Sequence, residues 1–213
     1  MLISIDGNIY CGKTTLLHEI AEKASTCLTV PEYIHVQGGS LLTTQYLYMD
    51  QEIGRKSKIE TYASDRDMFI LDRSILSVLA FAYNMYKLGI SDIRWECFSY
   101  FKAMYEKGNI LIPEYYILLV SDYQSAYQRF EQGEGGMMAK GSAAILIDPG
   151  FVENYNAFIE GYLSCIPSEC YMITEYRKDK SLIDKILYDC SKDSLGYNHS
   201  ESLLQYIENV FVN

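Results

Sequence analysis

Gly7, Asn8, Ile9, Tyr10, Cys11, Gly12, Lys13 and Thr14 fit the spacing GxxxxGK[ST] without a gap, and Thr15 follows. Residues of these types in this order hold phosphate. The two glycines let the backbone turn tightly enough to aim successive N–H groups at one anion, and the helix opening behind them adds its unpaired N–H groups and positive dipole end. Lys13 is placed to reach the β- and γ-phosphates of ATP, and the Thr14 hydroxyl to sit on a bridging Mg²⁺. Further polar groups follow short apolar runs. Glu32 comes just after Cys27 to Val30, while Asp72 and Arg73 close the run Met68-Phe69-Ile70-Leu71. A carboxylate beside a phosphate site can act as a base or approach a metal ion. A fixed guanidinium can hold a substrate phosphate or hydroxyl, or stabilise the transferring phosphoryl group.

These groups need a scaffold that collects them. An apolar run (Leu2, Ile3, Ile5) precedes the cradle and a helical pattern (Leu16, Leu17, Ile20, Ala21) follows it, so the cradle joins a strand to a helix of about residues 13–24. Glu32 and Asp72-Arg73 each end a candidate strand, and in an open parallel sheet the carboxyl ends of the strands carry the site. The second helix is expected over about 41–54, where Gln45, Tyr46 and Tyr48 could stack on and hydrogen-bond a heterocyclic base. Residues 75–88 are apolar nearly all round, which predicts a buried helix ended by Gly89. A helix over about 92–107 shows Trp95, Phe98, Phe101 and Met104 at spacings of three, pointing to a core stripe.

A fourth strand (115–120) leads through Ser121 or Asp122, either a suitable cap, into a helix of about 123–132 carrying Arg129. Residues 132–142, QGEGGMMAKGS, then contain four glycines and predict a mobile lid over about 132–148, with Arg129 and Lys140 as the cations it could bring to phosphates. Pro149 opens a helix to about 163, and a fifth strand (170–174) and a helix (181–190) complete the alternation. The tail from 194 has an amphipathic stretch that fits a last helix or a homodimer contact. The expected fold is α/β, a five-stranded parallel sheet with helices on both faces, in a single domain over 1–213.

A net charge of −10 argues against nucleic acid as a partner, since a phosphate polymer would meet a like-charged surface. No apolar run is long enough to cross a membrane, and the first strand begins at once, so a cytoplasmic protein is expected. The six cysteines form no CxxC pair or Cys/His cluster and read as reduced and structural. Cys11, inside the cradle near a helix N-terminus, is the one where oxidation could block nucleotide binding.

GNIYCGKTT, then VPE after the second strand, LDRS after the third, and a helix with arginine before a glycine-rich loop resemble the deoxynucleoside kinase family, which includes the viral thymidine kinases. The similarity runs from Met1 to about Leu163, and VPE and DRS at these distances narrow it beyond the widely shared phosphate loop. No NKxD motif of the GTPases occurs. The resemblance implies that Glu32 is the general base for the 5′-hydroxyl of a deoxynucleoside. It also implies that Arg73 holds that hydroxyl or Glu32, that Asp72 lies near Mg²⁺, that Gln45 pairs with the base edge, and that Arg129 is the first lid arginine.

The chain departs from the family pattern in two places. Phe130, Glu131, Gln132, Gly133 and Glu134 replace the usual cationic run of the lid, and Val78 stands where cellular members tend to carry an aspartate. Gln45 with an apolar Val78 suits thymine and its methyl group, so thymidine is the expected acceptor. Two alternatives remain open at this stage: a thymidylate kinase acting on the monophosphate, and a nucleotide-binding regulator without turnover.

Overall fold

The computed structural model describes residues 1–36, 39–132, 145–175, 180–191 and 198–212. Its strands are β1 (Leu2–Gly7), β2 (Cys27–Val30), β3 (Met68–Asp72), β4 (Tyr115–Leu119) and β5 (Tyr171–Thr174), arranged in one sheet in the order β2-β3-β1-β4-β5. Every pairing is parallel, as expected from strands that alternate with helices. The chain fills one side of β1 with β2 and β3, then crosses to the other side for β4 and β5, which puts the topological switch at the carboxyl end of β1. Register does the rest: Ile5 lies opposite Asp72 and Val30 opposite Leu71, so the chain leaves β1, β2 and β3 along one edge.

The helices are α1 (Lys13–Lys23), α2 (Leu41–Tyr62), α3 (Ile75–Lys87), α4 (Arg94–Glu106), α5 (Tyr123–Glu131), α6 (Pro149–Leu163), α7 (Lys180–Ser191) and α8 (Ser200–Val212). Both sheet faces are covered. Ile3, Ile5, Tyr115, Ile117 and Leu119 pack with Leu16, Leu17 and Ile20 of α1 and Ile183 and Ile186 of α7. The alternate side chains Tyr116 and Leu118 face the larger core, built with Leu76, Phe101, Phe158, Tyr162 and Phe211 from α3, α4, α6 and α8. Burial on both faces explains the unbroken apolar runs of the central strands.

Two expectations need correction, and one alternative is resolved. Helix α2 does not stop at Gly54 but continues to Tyr62, because Glu52 and Arg55 on either side of the glycine are tied into the core while Gly54 itself faces open space. Within α4 the buried face is Cys97, Phe98, Phe101 and Met104, and Trp95 is 58% exposed, so the spacing of three overextended the stripe by one residue. Of the two candidate caps before α5, Asp122 is the one that accepts the Ser125 N–H. The lid region 133–144, with Lys140, lies outside the described residues, as does the start of the tail at 194–197. Burial pushes the Cys97 thiol up to about 12 and the Cys27 thiol to about 11, as for structural, unreactive cysteines. Among the described residues, no helix is long and apolar enough to cross a membrane.

Candidate active site

The cradle runs from the end of β1 into the first turn of α1. Gly12 caps the helix at φ 96°, and Tyr10 inside the loop sits at φ 60°. Gly7, at φ 149°, presses against the neighbouring strand so closely that a Cβ there would lie 2.4 Å from the Leu119 carbonyl oxygen and 2.7 Å from Cys11 Sγ. Lys13 is buried and folds back over the loop, donating to the Asn8 carbonyl at 2.7 Å and lying 3.6 Å from Cys11 Sγ. Thr14 and Thr15 are exposed on the first turn, where helix N–H groups are free of intrahelical partners. Ile9 is half-buried at the middle of the loop.

Two contacts brace the cradle from outside. The Asn8 amide donates to the Leu146 carbonyl at 3.1 Å, linking the loop to the chain just before α6. Arg129 Nη1 donates to the Tyr10 carbonyl at 2.6 Å, and the Phe130 ring meets Tyr10 edge-on at 5.9 Å. The helix expected to carry the first lid arginine thus rests directly on the phosphate loop.

Glu32, just past β2, pairs with Arg73, just past β3, through Arg73 Nε. The same guanidinium donates from Nη1 to the Gly7 carbonyl at 2.7 Å and to the Tyr155 hydroxyl at 3.1 Å, so it joins the acidic group to the root of the cradle. Burial by itself would raise the Glu32 carboxyl, but Arg73 and Lys13 together hold it below the usual glutamate range. Asp72 goes the other way. Burial and the like charge of Glu32 raise its pKa, with Lys13 opposing them. The two carboxylates and Lys13 therefore share one electrostatic site.

Asp72 Oδ1 is buried and has no hydrogen-bond partner among the described residues, which leaves an anionic oxygen suited to a hard cation. With the exposed Thr14 hydroxyl and the oxygens of a bound nucleotide, this donor set fits Mg²⁺, which is usually held by one or two protein ligands plus phosphates and water. Gln45 on α2 is likewise buried with its Oε1 unpartnered, and Val78 on α3 is buried. Arg129 touches the cradle rather than the Glu32–Arg73 pair.

The sequence motifs give no role to Asp6, Ser77 or Tyr155, and include Ser74 only as the last residue of LDRS. The Asp6 carboxylate accepts from the Ser74 N–H and hydroxyl, each at 2.9 Å, and from the Ser77 hydroxyl at 2.6 Å. It thereby fastens the N-terminus of α3, and with it the Asp72-Arg73 turn, to β1. Ser77 in turn meets the Tyr155 hydroxyl at 2.5 Å. A charged residue inside a buried strand was the available signal for Asp6. Tyr155 had none, since it sits in a helical apolar stripe and only its hydroxyl reaches the site.

No family model and no curated protein matches the sequence. Solved structures do. The deoxyadenosine kinase from M. mycoides with bound dATP superposes with a TM-score of 0.63 at 18% identity, over 88% of this chain and 97% of that one. The same enzyme with the products dCMP and a flexible dCDP bound gives 0.63 at 20% identity over the same shares. With bound dCTP it gives 0.56 at 17%, over 89% and 97%. This chain has the fold of the P-loop deoxynucleoside kinases.

Proposed function

We propose that this protein transfers the γ-phosphoryl group of ATP to the 5′-hydroxyl of a deoxynucleoside, with thymidine as the preferred acceptor. The observation that carries this reading is the Glu32–Arg73 pair, held at the root of a phosphate cradle and beside Lys13. Lys13 and the cradle N–H groups hold the donor phosphates. Kept ionised by Arg73 and Lys13, the Glu32 carboxylate accepts the 5′-hydroxyl proton as that oxygen bonds to the γ-phosphorus and the bond to the ADP oxygen breaks. Arg73 fixes the direction of the carboxylate. Asp72 and Thr14 are the residues that would hold Mg²⁺, which supplies neutralisation of the phosphate charge. Most of the acceleration in this chemistry comes from alignment and electrostatics, which a site tied together by backbone contacts is built to provide.

Arg73 also bears on the choice between nucleoside and monophosphate. Its Nε and Nη1 are engaged by Glu32, Gly7 and Tyr155, and a carboxylate base beside it suits a hydroxyl acceptor, whose proton it can take, better than a phosphate, which it would repel. The buried, unpartnered Gln45 oxygen with apolar Val78 supports reading of a pyrimidine bearing a methyl group. The M. mycoides structures, with deoxyadenosine and deoxycytidine nucleotides bound, support a deoxynucleoside acceptor in general and leave the base to be measured.

The test is an Mg-ATP assay run side by side on thymidine, deoxycytidine, deoxyadenosine, deoxyguanosine and thymidine monophosphate. Turnover greatest on thymidine is the expected result. Turnover on another nucleoside corrects the base, turnover on the monophosphate alone makes the protein a thymidylate kinase, and ATP binding without any acceptor makes it a non-catalytic nucleotide-binding protein.

A further inference from the structure

Arg55, on α2, lies behind the Asp72-Arg73 turn and is buried. Its Nη2 donates to the Arg73 carbonyl at 2.7 Å and to the Asp72 carbonyl at 3.1 Å, and its Nη1 pairs with Glu52 at 2.7 Å. Glu52 is fully buried, and its carboxylate also accepts from the Tyr33 hydroxyl at 2.8 Å and from the Leu111 N–H at 3.2 Å. The Arg55 guanidinium stacks over the Tyr33 ring at 4.4 Å. Tyr33 is the residue after Glu32. One buried ion pair therefore grips the chain beside Glu32 at one end and the backbone of Arg73 at the other.

Arg73 needs such a grip. It sits at φ 65°, a left-handed conformation that a long side chain adopts only when its surroundings over-determine it, at a cost of about 1–3 kcal/mol. Its N–H is held by the Ile5 carbonyl at 3.0 Å and its carbonyl by Arg55, so both of its backbone hydrogen-bonding groups are fixed. The turn aims the side chain at Glu32 and Gly7.

We infer that Arg55, anchored on Glu52, is a positioning residue for phosphoryl transfer: it sets the Glu32–Arg73 pair by holding the backbone on both sides of it. The inference rests on the function proposed above. Glu52 and Arg55 touch neither substrate nor the reacting atoms in this assignment; they act through Arg73 and Tyr33. Lysine cannot replace Arg55, because a single ammonium lacks the planar fork that reaches a carboxylate and two carbonyls at once.

The test compares wild type with Arg55→Lys. Expected is a fall in kcat of about tenfold or more with acceptor KM and ATP affinity held within about threefold. The Arg73 Nε–H resonance in ¹⁵N spectra, assigned by its loss in Arg73→Lys, shifts or broadens as the pair with Glu32 loosens. Removing one partner of a buried pair can prevent folding, so a variant carrying both Glu52→Gln and Arg55→Gln is the second arm, with the same kcat loss expected. Folded variants with wild-type kcat, or with an unmoved Arg73 resonance, overturn the inference. A parallel loss of kcat, ATP affinity and thermal stability also overturns it, by showing a merely structural pair. If wild type transfers phosphate to no acceptor, the proposed function fails instead, while the Arg73 resonance still decides whether Arg55 sets the pair.

Discussion

Arg73 donates from Nε to a carboxylate oxygen of Glu32 while its Nη1 holds the Gly7 carbonyl, so the acidic group after β2 is tied through the residue after β3 to the start of the phosphate loop. A single guanidinium thus links the expected base and the donor cradle, and changes at any of the three should be felt as misalignment.

Glu32→Gln removes the proton acceptor and keeps the shape. Its kcat should fall by about 10²–10⁴, with ATP affinity little changed, in steady-state assays paired with ligand titration. A pure KM effect would remove the general-base role. The pH profile carries a sign. Because the folded-state pKa of Glu32 is below its ordinary value of 4.5, the ionised, Arg73-paired form is complete above that value and is lost only as pH falls through the lowered pKa. The acid limb of kcat/KM, which reports the free enzyme, should therefore lie below the ordinary glutamate range.

Gly7 in the cradle and Gly54 in α2 carry opposite predictions. Gly7→Ala places a methyl group 2.4 Å from the Leu119 carbonyl oxygen at a positive φ, and should lower stability by at least about 2 kcal/mol or prevent folding. Gly54→Ala, in mid-helix with nothing within 4 Å of the added carbon, should raise stability by roughly 0.5–1 kcal/mol. Thermal melts of the two variants decide both. Lys13→Ala belongs beside them as the variant expected to abolish turnover with an unchanged circular dichroism spectrum.

Asp72→Asn tests the cation. The amide keeps one oxygen but loses the charge that the unpartnered Oδ1 contributes, so the Mg²⁺ concentration for half-maximal activity should rise severalfold, about 1 kcal/mol or more in binding. Chelation of Mg²⁺ should stop turnover by wild type altogether. Activity in the presence of excess EDTA would dismiss the metal.

Gln45→Ala tests base reading. A bidentate amide contact discriminates between bases by about 1–3 kcal/mol, so kcat/KM for the preferred nucleoside should fall by that amount and for the others by much less. Equal losses on every base would leave Gln45 as a packing residue.

The one-dimensional pattern determined what depends on neighbours along the chain. The phosphate loop is legible because its glycines, lysine and threonine act within one strand-loop-helix junction, and the parallel sheet is legible because apolar runs alternate with helical periods. Glu32 and Asp72-Arg73 were legible as polar ends of strands, but their meeting was not. Parallel register brings the ends of β2 and β3 together across 41 residues of sequence, and no local spacing encodes that distance.

The supporting groups belong wholly to the tertiary structure. Asp6 reaches Ser74 and Ser77, Tyr155 reaches Arg73, and Arg55 reaches the Arg73 carbonyl because helices α2, α3 and α6 pack on one face of the sheet. The length of α2 has the same origin: helix propensity stops it at Gly54, and burial of Glu52 and Arg55 carries it on to Tyr62. A buried polar side chain is constrained by the partners that satisfy it, and those partners are neighbours only after folding.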